Sequence, residues 1–162
     1  MNDTGSPKVR YVGESQITTT QLVLPNDTNQ LGNLLGGTLM HWIDIVAAIC
    51  AQQHAGRVCV TASVDELSFH YPIRLGEVVT LRASVNRAFK TSMEVGVQVT
   101  AHGLDGKPSR RSNTAYLTFV AIDEKGTPVL VPRVTPQSDD EKRRFDEALQ
   151  RRQLRLQHRR PD

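Results

Sequence analysis

From Leu39 to Ala51 only His41 and Asp44 interrupt an otherwise apolar run, which continues through Gln52 and Gln53 to about His54. Wound at 3.6 residues per turn, such a run leaves no clear solvent face, so it predicts a core helix around which the rest of the chain wraps. At roughly 14 to 17 residues, with a His and an Asp inside it, the segment is too short and too polar to span a bilayer, and no membrane insertion is expected.

Asp44 is the residue that demands a reason, because carboxylates are rarely buried unless something pairs with them or uses them. One reading is structural: a hydrogen bond to neighbouring backbone, or a pairing with His41 one turn earlier. The surrounding residues point to chemistry instead. Gly36 and Gly37 open the helix, leaving its first N–H groups unshielded at the positive end of the dipole, where an oxyanion fits. Asn29, just upstream, carries a neutral amide that can orient water, and Asn33 lies between it and the glycines. A base, an oxyanion hole and an orienting amide are the parts of an acyl-transfer site. Gly37 and Asp44 are separated by seven residues, roughly 10 Å along one helix, so the two cannot touch the same carbonyl carbon. If both act on one substrate, Asp44 comes from a second copy, which predicts a dimer with two sites shared across a two-fold axis.

The remaining sequence reads as strands. A first strand is expected from about Gln16 to Leu24, ending at Pro25. After Gly56, period-two alternation puts Val79, Leu81, Ala83 and Val85 on one face, then Met93, Val95, Val97, Val99 and Ala101, then Ala115, Leu117, Phe119 and Ala121. Thr61, Ser63 and Asp65 are expected to share a strand face. Breaks at Tyr71-Pro72, Leu75-Gly76, Phe89-Lys90 and Leu104 to Pro108 are turn chemistries between antiparallel neighbours. The expected class is α+β: an antiparallel sheet curled around one long helix, with a further helix at the C-terminus. The predicted division is a flexible segment over 1–14, a domain over 15–136, and a helix with a basic tail over 137–162.

The stretch from Asn29 to Asp44 resembles the signature of the hot-dog-fold acyl-CoA thioesterases, which include brain-type acyl-CoA hydrolase and its single-domain bacterial relatives. Similar passages are Thr61 to His70, Thr91-Ser-Met-Glu-Val, Val131-Pro132, and Asp139 to Phe145. The resemblance spans roughly Ser15 to Phe145. In tandem-domain members one half supplies a catalytic Asn and the other a catalytic Asp, and those motif positions match Asn29 and Asp44. A single domain carrying both implies a homodimer at least, and by family resemblance a trimer of dimers. The resemblance further implies an acyl-CoA substrate, a role in lipid metabolism, and no cofactor, coenzyme A being part of the substrate. Leu35 departs from the pattern, since relatives often place an aromatic or His before the glycine pair. The strand bearing Ser63 borders the ligand channel in relatives, which makes Ser63 a substrate-binding candidate with Gly36, Gly37 and Asn33. Lys90, Thr91 and Ser92 sit at a tight connection whose donors can hold a pantetheine arm or a phosphate, and Lys90, Arg110 and Arg111 are the cations expected near the phosphates.

Other classes are disfavoured. Cys50 and Cys59 read as free buried thiols, and the five histidines show no ligand spacing, so no metal is expected. Residues 1–10 match neither a secretory signal nor a transit peptide, which predicts a cytoplasmic protein. The net charge of +3 is a property of the tail: the five arginines from Arg151 to Arg160, less Asp162, carry +4 and leave −1 for the rest. A nucleic-acid partner would need a basic face on the body, and none is expected. Ser138 to Glu141 form a capping box that starts a helix with Phe145, Leu149 and Leu156 along one stripe, expected to pack on a neighbour. The arginines past Gln150 are expected to be dispensable for folding, with attraction of coenzyme A phosphates as a role open to them. Two functions follow: a thioesterase using Asp44 as base or nucleophile, or a noncatalytic acyl-CoA-binding regulatory protein. The second gives no reason for an ionisable group in an apolar helix.

Overall fold

The computed structural model describes residues 8–65 and 67–159, the side chains of Arg111 and Ser112 excepted. Its elements are β1 (Val9–Tyr11), β2 (Ile17–Leu22), α1 (Gly36–Ala55), β3 (Cys59–Val64), β4 (Val78–Ala88), β5 (Ser92–His102), β6 (Arg110–Ala121), β7 (Arg133–Thr135) and α2 (Asp139–Gln157). Five strands make one antiparallel sheet in the order β2-β4-β5-β6-β3. The alternation in the sequence decides which face is dry. Val79, Leu81, Met93, Val95, Leu117 and Phe119 are all fully buried and point to the side that carries α1. Gly56, with φ 66°, ends α1 in the left-handed conformation that lacks a steric penalty only for glycine.

The sheet covers only one side of α1, which corrects the expectation of an enclosed helix. Leu39, Ile43, Val46, Ala47, Cys50, Ala51 and His54 are buried, whereas His41, Ile45, Ile49 and Gln52 form an exposed stripe on the other side. An isoleucine pair facing water is apolar surface left without a partner in a single chain. Among the described residues no helix is long and apolar enough to cross a membrane.

The first and last described elements are built onto this frame. From Lys8 onward the segment read as flexible is ordered: β1 pairs in parallel with β7, and residues 1–7 lie outside the described residues. The capping box at α2 forms as expected, with Glu141 N–H donating to Ser138 Oγ at 3.2 Å and Ser138 N–H donating to Glu141 Oε2 at 3.2 Å. The helix it starts does not wait for a neighbour. It lies on the outer face of the sheet, where Ala148 is fully buried and Arg87 stands 4.0 Å above the Phe145 ring. Leu156, expected on the packing stripe, is exposed. Arginines rather than leucines make the inner edge of this helix, because the sheet beneath them presents Glu94 and Asp65.

His54 fixes the far end of α1. Its Nε2 is 2.8 Å from the carbonyl of Pro132, which can only accept, so Nε2 holds the proton and Nδ1 is bare and without a partner. Burial lowers its pKa below the usual histidine range and Arg10 adds to this, against the opposing pull of the Pro132 carbonyl and Glu14. The unfolded chain therefore takes up a proton below about pH 6.5 that the folded chain resists, and stability falls as pH drops through that value. Thermal melts of the wild type and His54→Gln from pH 7.5 to 5.5 should show a steeper acid loss in the wild type. Parallel pH profiles would contradict this account.

Candidate active site

The polar groups singled out by sequence fall in two places along α1. At its start, Asn29 folds back on its own loop: its Oδ1 accepts from the N–H groups of Leu31 at 2.9 Å and Asn33 at 3.1 Å. Both bonds come from backbone donors, which fixes the amide orientation and leaves Nδ2 pointing away as a donor. Asn29 can hold an oxygen atom only by donating to it, which narrows the orienting role read from its sequence. Three residues past Asn33, α1 begins at Gly36 with no side chain capping its first turn. A Cβ at Gly37 would meet nothing within 4 Å, so the N–H groups there open onto free space.

Asp44 lies two turns further on and is half-buried. Its Oδ1 accepts a hydrogen bond from the Thr61 hydroxyl at 2.7 Å, and among the described residues its other oxygen has no partner. His41, offered as the structural alternative, is exposed and makes no bond to it. The sequence offers Thr61 only as one of three residues on a strand face, and its contact with Asp44 is not legible there. The cause is a β-bulge at Ala62: Thr61 pairs with Phe119, whose side chain faces the core, whereas Ser63 pairs with Thr118 on the opposite face. The extra residue breaks the alternation, so Thr61, Ser63 and Asp65 do not share a face as expected. Thr61 turns toward α1 and Asp44. Ser63 and Asp65 turn toward α2, and Arg155 donates to both oxygens of Asp65, at 3.1 and 2.9 Å. Ser63 therefore leaves the set of groups around α1.

Lys90, Thr91 and Ser92 join β4 to β5 at the other end of the molecule from the glycines. The Lys90 carbonyl accepts from Val131 N–H, next to the Pro132 that holds His54. The length of α1 then places them about 25 to 30 Å from Gly36. Ser92 is buried, and its hydroxyl takes a bond from Arg152 at 3.3 Å, so it braces α2 and is turned away from any ligand on the helix side. The Thr91 carbonyl accepts from Ala121 N–H. Lys90 is exposed at the rim of a cleft of about 390 Å³ whose lining includes Arg87, Phe89, Arg133 and Phe145. Arg110 is engaged elsewhere, in a two-bond pair with Glu77 at 2.8 Å for each bond. Arg111 is outside the described side chains. Among the described residues no group of three or more His, Cys, Asp or Glu could hold a metal ion.

An antiparallel sheet laid along a long helix matches the hot-dog architecture that the sequence resemblance implies, and an uncapped glycine turn at the helix start with a threonine-held carboxylate in its middle supplies parts of an acyl-transfer site. Comparison with known proteins bears this out. Residues 31–105 match the model of the thioesterase superfamily. A Bacillus subtilis protein described as an uncharacterized acyl-CoA thioester hydrolase is 40% identical over 146 residues, covering 90% of this chain and 85% of the relative. Mouse acyl-coenzyme A thioesterase 11 is 40% identical over 159 residues, and there the chain spans 27% of the relative's length. Among solved structures, a hexameric acyl-CoA thioesterase superposes with a TM-score of 0.90 at 38% identity, covering 93% and 96% of the two chains. The Staphylococcus aureus acyl-CoA hydrolase bound to butyryl coenzyme A and coenzyme A gives 0.85 at 39% identity, covering 91% and 92%. That enzyme has also been solved with an Asn, an Asp and a Thr each replaced by Ala, residues spaced 15 and 17 apart, as Asn29, Asp44 and Thr61 are here. The chain belongs to the thioesterase superfamily, in its hot-dog-fold family of acyl-CoA hydrolases.

Proposed function

We propose that this chain hydrolyses acyl-CoA to a free acid and coenzyme A at a site shared by two copies. The observation that carries the reading is the Thr61–Asp44 hydrogen bond, which holds one carboxylate oxygen and leaves the other open for a water proton. Gly37 N–H and Asn29 Nδ2, both at the start of α1, hold the thioester carbonyl oxygen. Asp44 of the second copy takes a proton from water as the water oxygen adds to the carbonyl carbon. The oxyanion then collapses, the C–S bond breaks, and the departing thiolate recovers the proton from Asp44. The reaction as written needs no cofactor.

Three arguments support a shared site. Gly37 and Asp44 sit too far apart on one helix to act together, Ile45 and Ile49 leave an apolar stripe open, and β3 is an unpaired sheet edge. A hexameric relative fits a trimer of dimers. Lys90 and Arg133 of the second copy, which line one cleft at the far end of its α1, are the cations proposed for the phosphates. A cytosolic relative in rat agrees with the cytoplasmic placement expected from the sequence.

The direct test is thiol release across acyl-CoA chain lengths. Turnover supports the reading, and tight acyl-CoA binding without any release would replace it with a noncatalytic binder. Sharing has its own test. Asn29→Ala and Asp44→Ala should each be inactive, and dissociating and reassembling the mixture should restore activity because a mixed dimer keeps one intact site. Mixed oligomers that form and stay inactive would sink the shared site. Thr61→Val removes only the hydroxyl that holds Asp44, so kcat should fall about tenfold, the scale of one hydrogen bond to a charged group, with KM little changed.

A further inference from the structure

We propose that the cleft roofed by Phe69 at the start of α1 is the acyl-chain subsite and that Phe69 limits the chain length it accepts. The inference rests on the thioesterase reading above and names the part of the substrate that the cleft takes. Asn33, Leu34, Gly36, Leu39, Phe69 and Ile73 line a cleft of about 270 Å³. Leu39 and Ile73 are buried core residues and form a fixed floor. Phe69, on the loop between β3 and β4, is 52% exposed and forms the roof.

Gly36 is where the roof meets the helix. A Cβ there would stand 3.3 Å from Phe69 Cζ and 3.4 Å from Cε2, tighter than ordinary carbon contact. The ring lies against the first turn here, one residue from the N–H assigned to the thioester oxygen, and a larger residue at 36 would press it outward by a few tenths of an ångström. A substrate whose carbonyl oxygen is held at Gly37 has its first chain carbons beside this opening.

The chemistry of the walls selects between the two arms of the substrate. The walls are mainly apolar, with Asn33 and Tyr71 the polar side chains among them, so they offer few partners to the two amides of the pantetheine arm. An alkyl chain has no such groups and gains from every methylene buried. A cleft of about 270 Å³ bounded by Phe69 encloses a limited length of alkyl chain, so the gain per methylene ends once it is filled.

The experiment is kcat/KM for saturated acyl-CoAs from two to sixteen carbons with the wild type, Phe69→Ala and Phe69→Trp, alongside inhibition by free coenzyme A. In the wild type kcat/KM should rise about fourfold per added methylene while the cleft fills, then level off. Phe69→Ala should move the plateau to longer chains and Phe69→Trp to shorter ones, with inhibition by coenzyme A unchanged in both. A profile that is the same in all three proteins would overturn the assignment. So would a change in coenzyme A inhibition equal to the change in KM, which would place the pantetheine arm in the cleft. Should the wild type turn over no acyl-CoA, the thioesterase reading falls separately. Dissociation constants of the same series then decide, with chain-length steps that shift in the Phe69 variants supporting the subsite and their absence overturning it.

Discussion

Replacing Asp44 by Asn should lower kcat by at least about a hundredfold, the scale for losing a general base, while the melting temperature stays close to that of the wild type. Asn keeps the size of the side chain and can still accept from the Thr61 hydroxyl through its amide oxygen, so the single contact that Asp44 makes in the fold survives. What disappears is the carboxylate oxygen with no partner. The site, not the core, should register the change, because Asp44 is half-buried on the open side of α1 and pairs with no cation. Steady-state thiol release and a melt on the same preparation separate the two roles. Near-normal turnover would remove Asp44 from the chemistry, and a large fall in melting temperature would return it to the structural role that sequence alone left open. Thr61→Val provides the gradation: a smaller kcat loss in the same direction is expected if the hydroxyl serves only to hold the base.

The fold was legible because its signals are periodic. The apolar run that became α1 and the alternation in β4, β5 and β6 each state which face is buried, and those faces are the ones that meet in the core. Asn29, Gly37 and Asp44 were legible for a different reason, since each is an anomaly against that pattern: an amide before a glycine pair, an uncapped helix start, a carboxylate among isoleucines. Thr61 and Ser63 show where legibility ends. A bulge of one residue at Ala62 exchanged the face of everything after it, and nothing in Val-Thr-Ala-Ser-Val distinguishes a regular strand from a bulged one. The open stripe of His41, Ile45 and Ile49 marks a second limit. A helix apolar all round reads as enclosed by its own chain, and the sequence does not separate that case from one completed by another copy. The tail was misread because charge on a C-terminal helix usually faces water, and only the fold shows that buried carboxylates lie beneath it.

Those carboxylates reverse the expectation that the residues after Gln150 can be removed without loss. Glu94 is 0% exposed near the start of β5, and Arg151 covers it with two hydrogen bonds, Nη2 to Oε1 at 2.8 Å and Nε to Oε2 at 3.0 Å. Asn86 Nδ2 donates to the same Oε1 at 3.0 Å. A Cβ at Gly96 would stand 2.7 Å from that nitrogen, so glycine there leaves the room Asn86 occupies. The Arg151 guanidinium also stacks 3.6 Å above the Tyr116 ring, and Arg155 pairs with Asp65 beside it. Removing one member of a buried pair costs far more than the pair contributes, because the remaining charge stays desolvated. Arg151→Met keeps the aliphatic stem over the sheet and leaves Glu94 with Asn86 and the longer 3.8 Å contact to Arg155, so stability should fall by about 3 to 5 kcal/mol. In a chain of this size that is a drop of roughly 6 to 20 °C in melting temperature, compared at equal protein concentration. Truncation after Gln150 should destabilise less than the point variant, since it opens Glu94 to water as it removes the cation. The diagnostic measurement is the double variant Arg151→Met with Glu94→Gln. Removing the stranded charge should recover most of the lost stability, whereas additive losses in the two single variants would show that packing of the arginine stem, not the ion pair, holds α2 to the sheet.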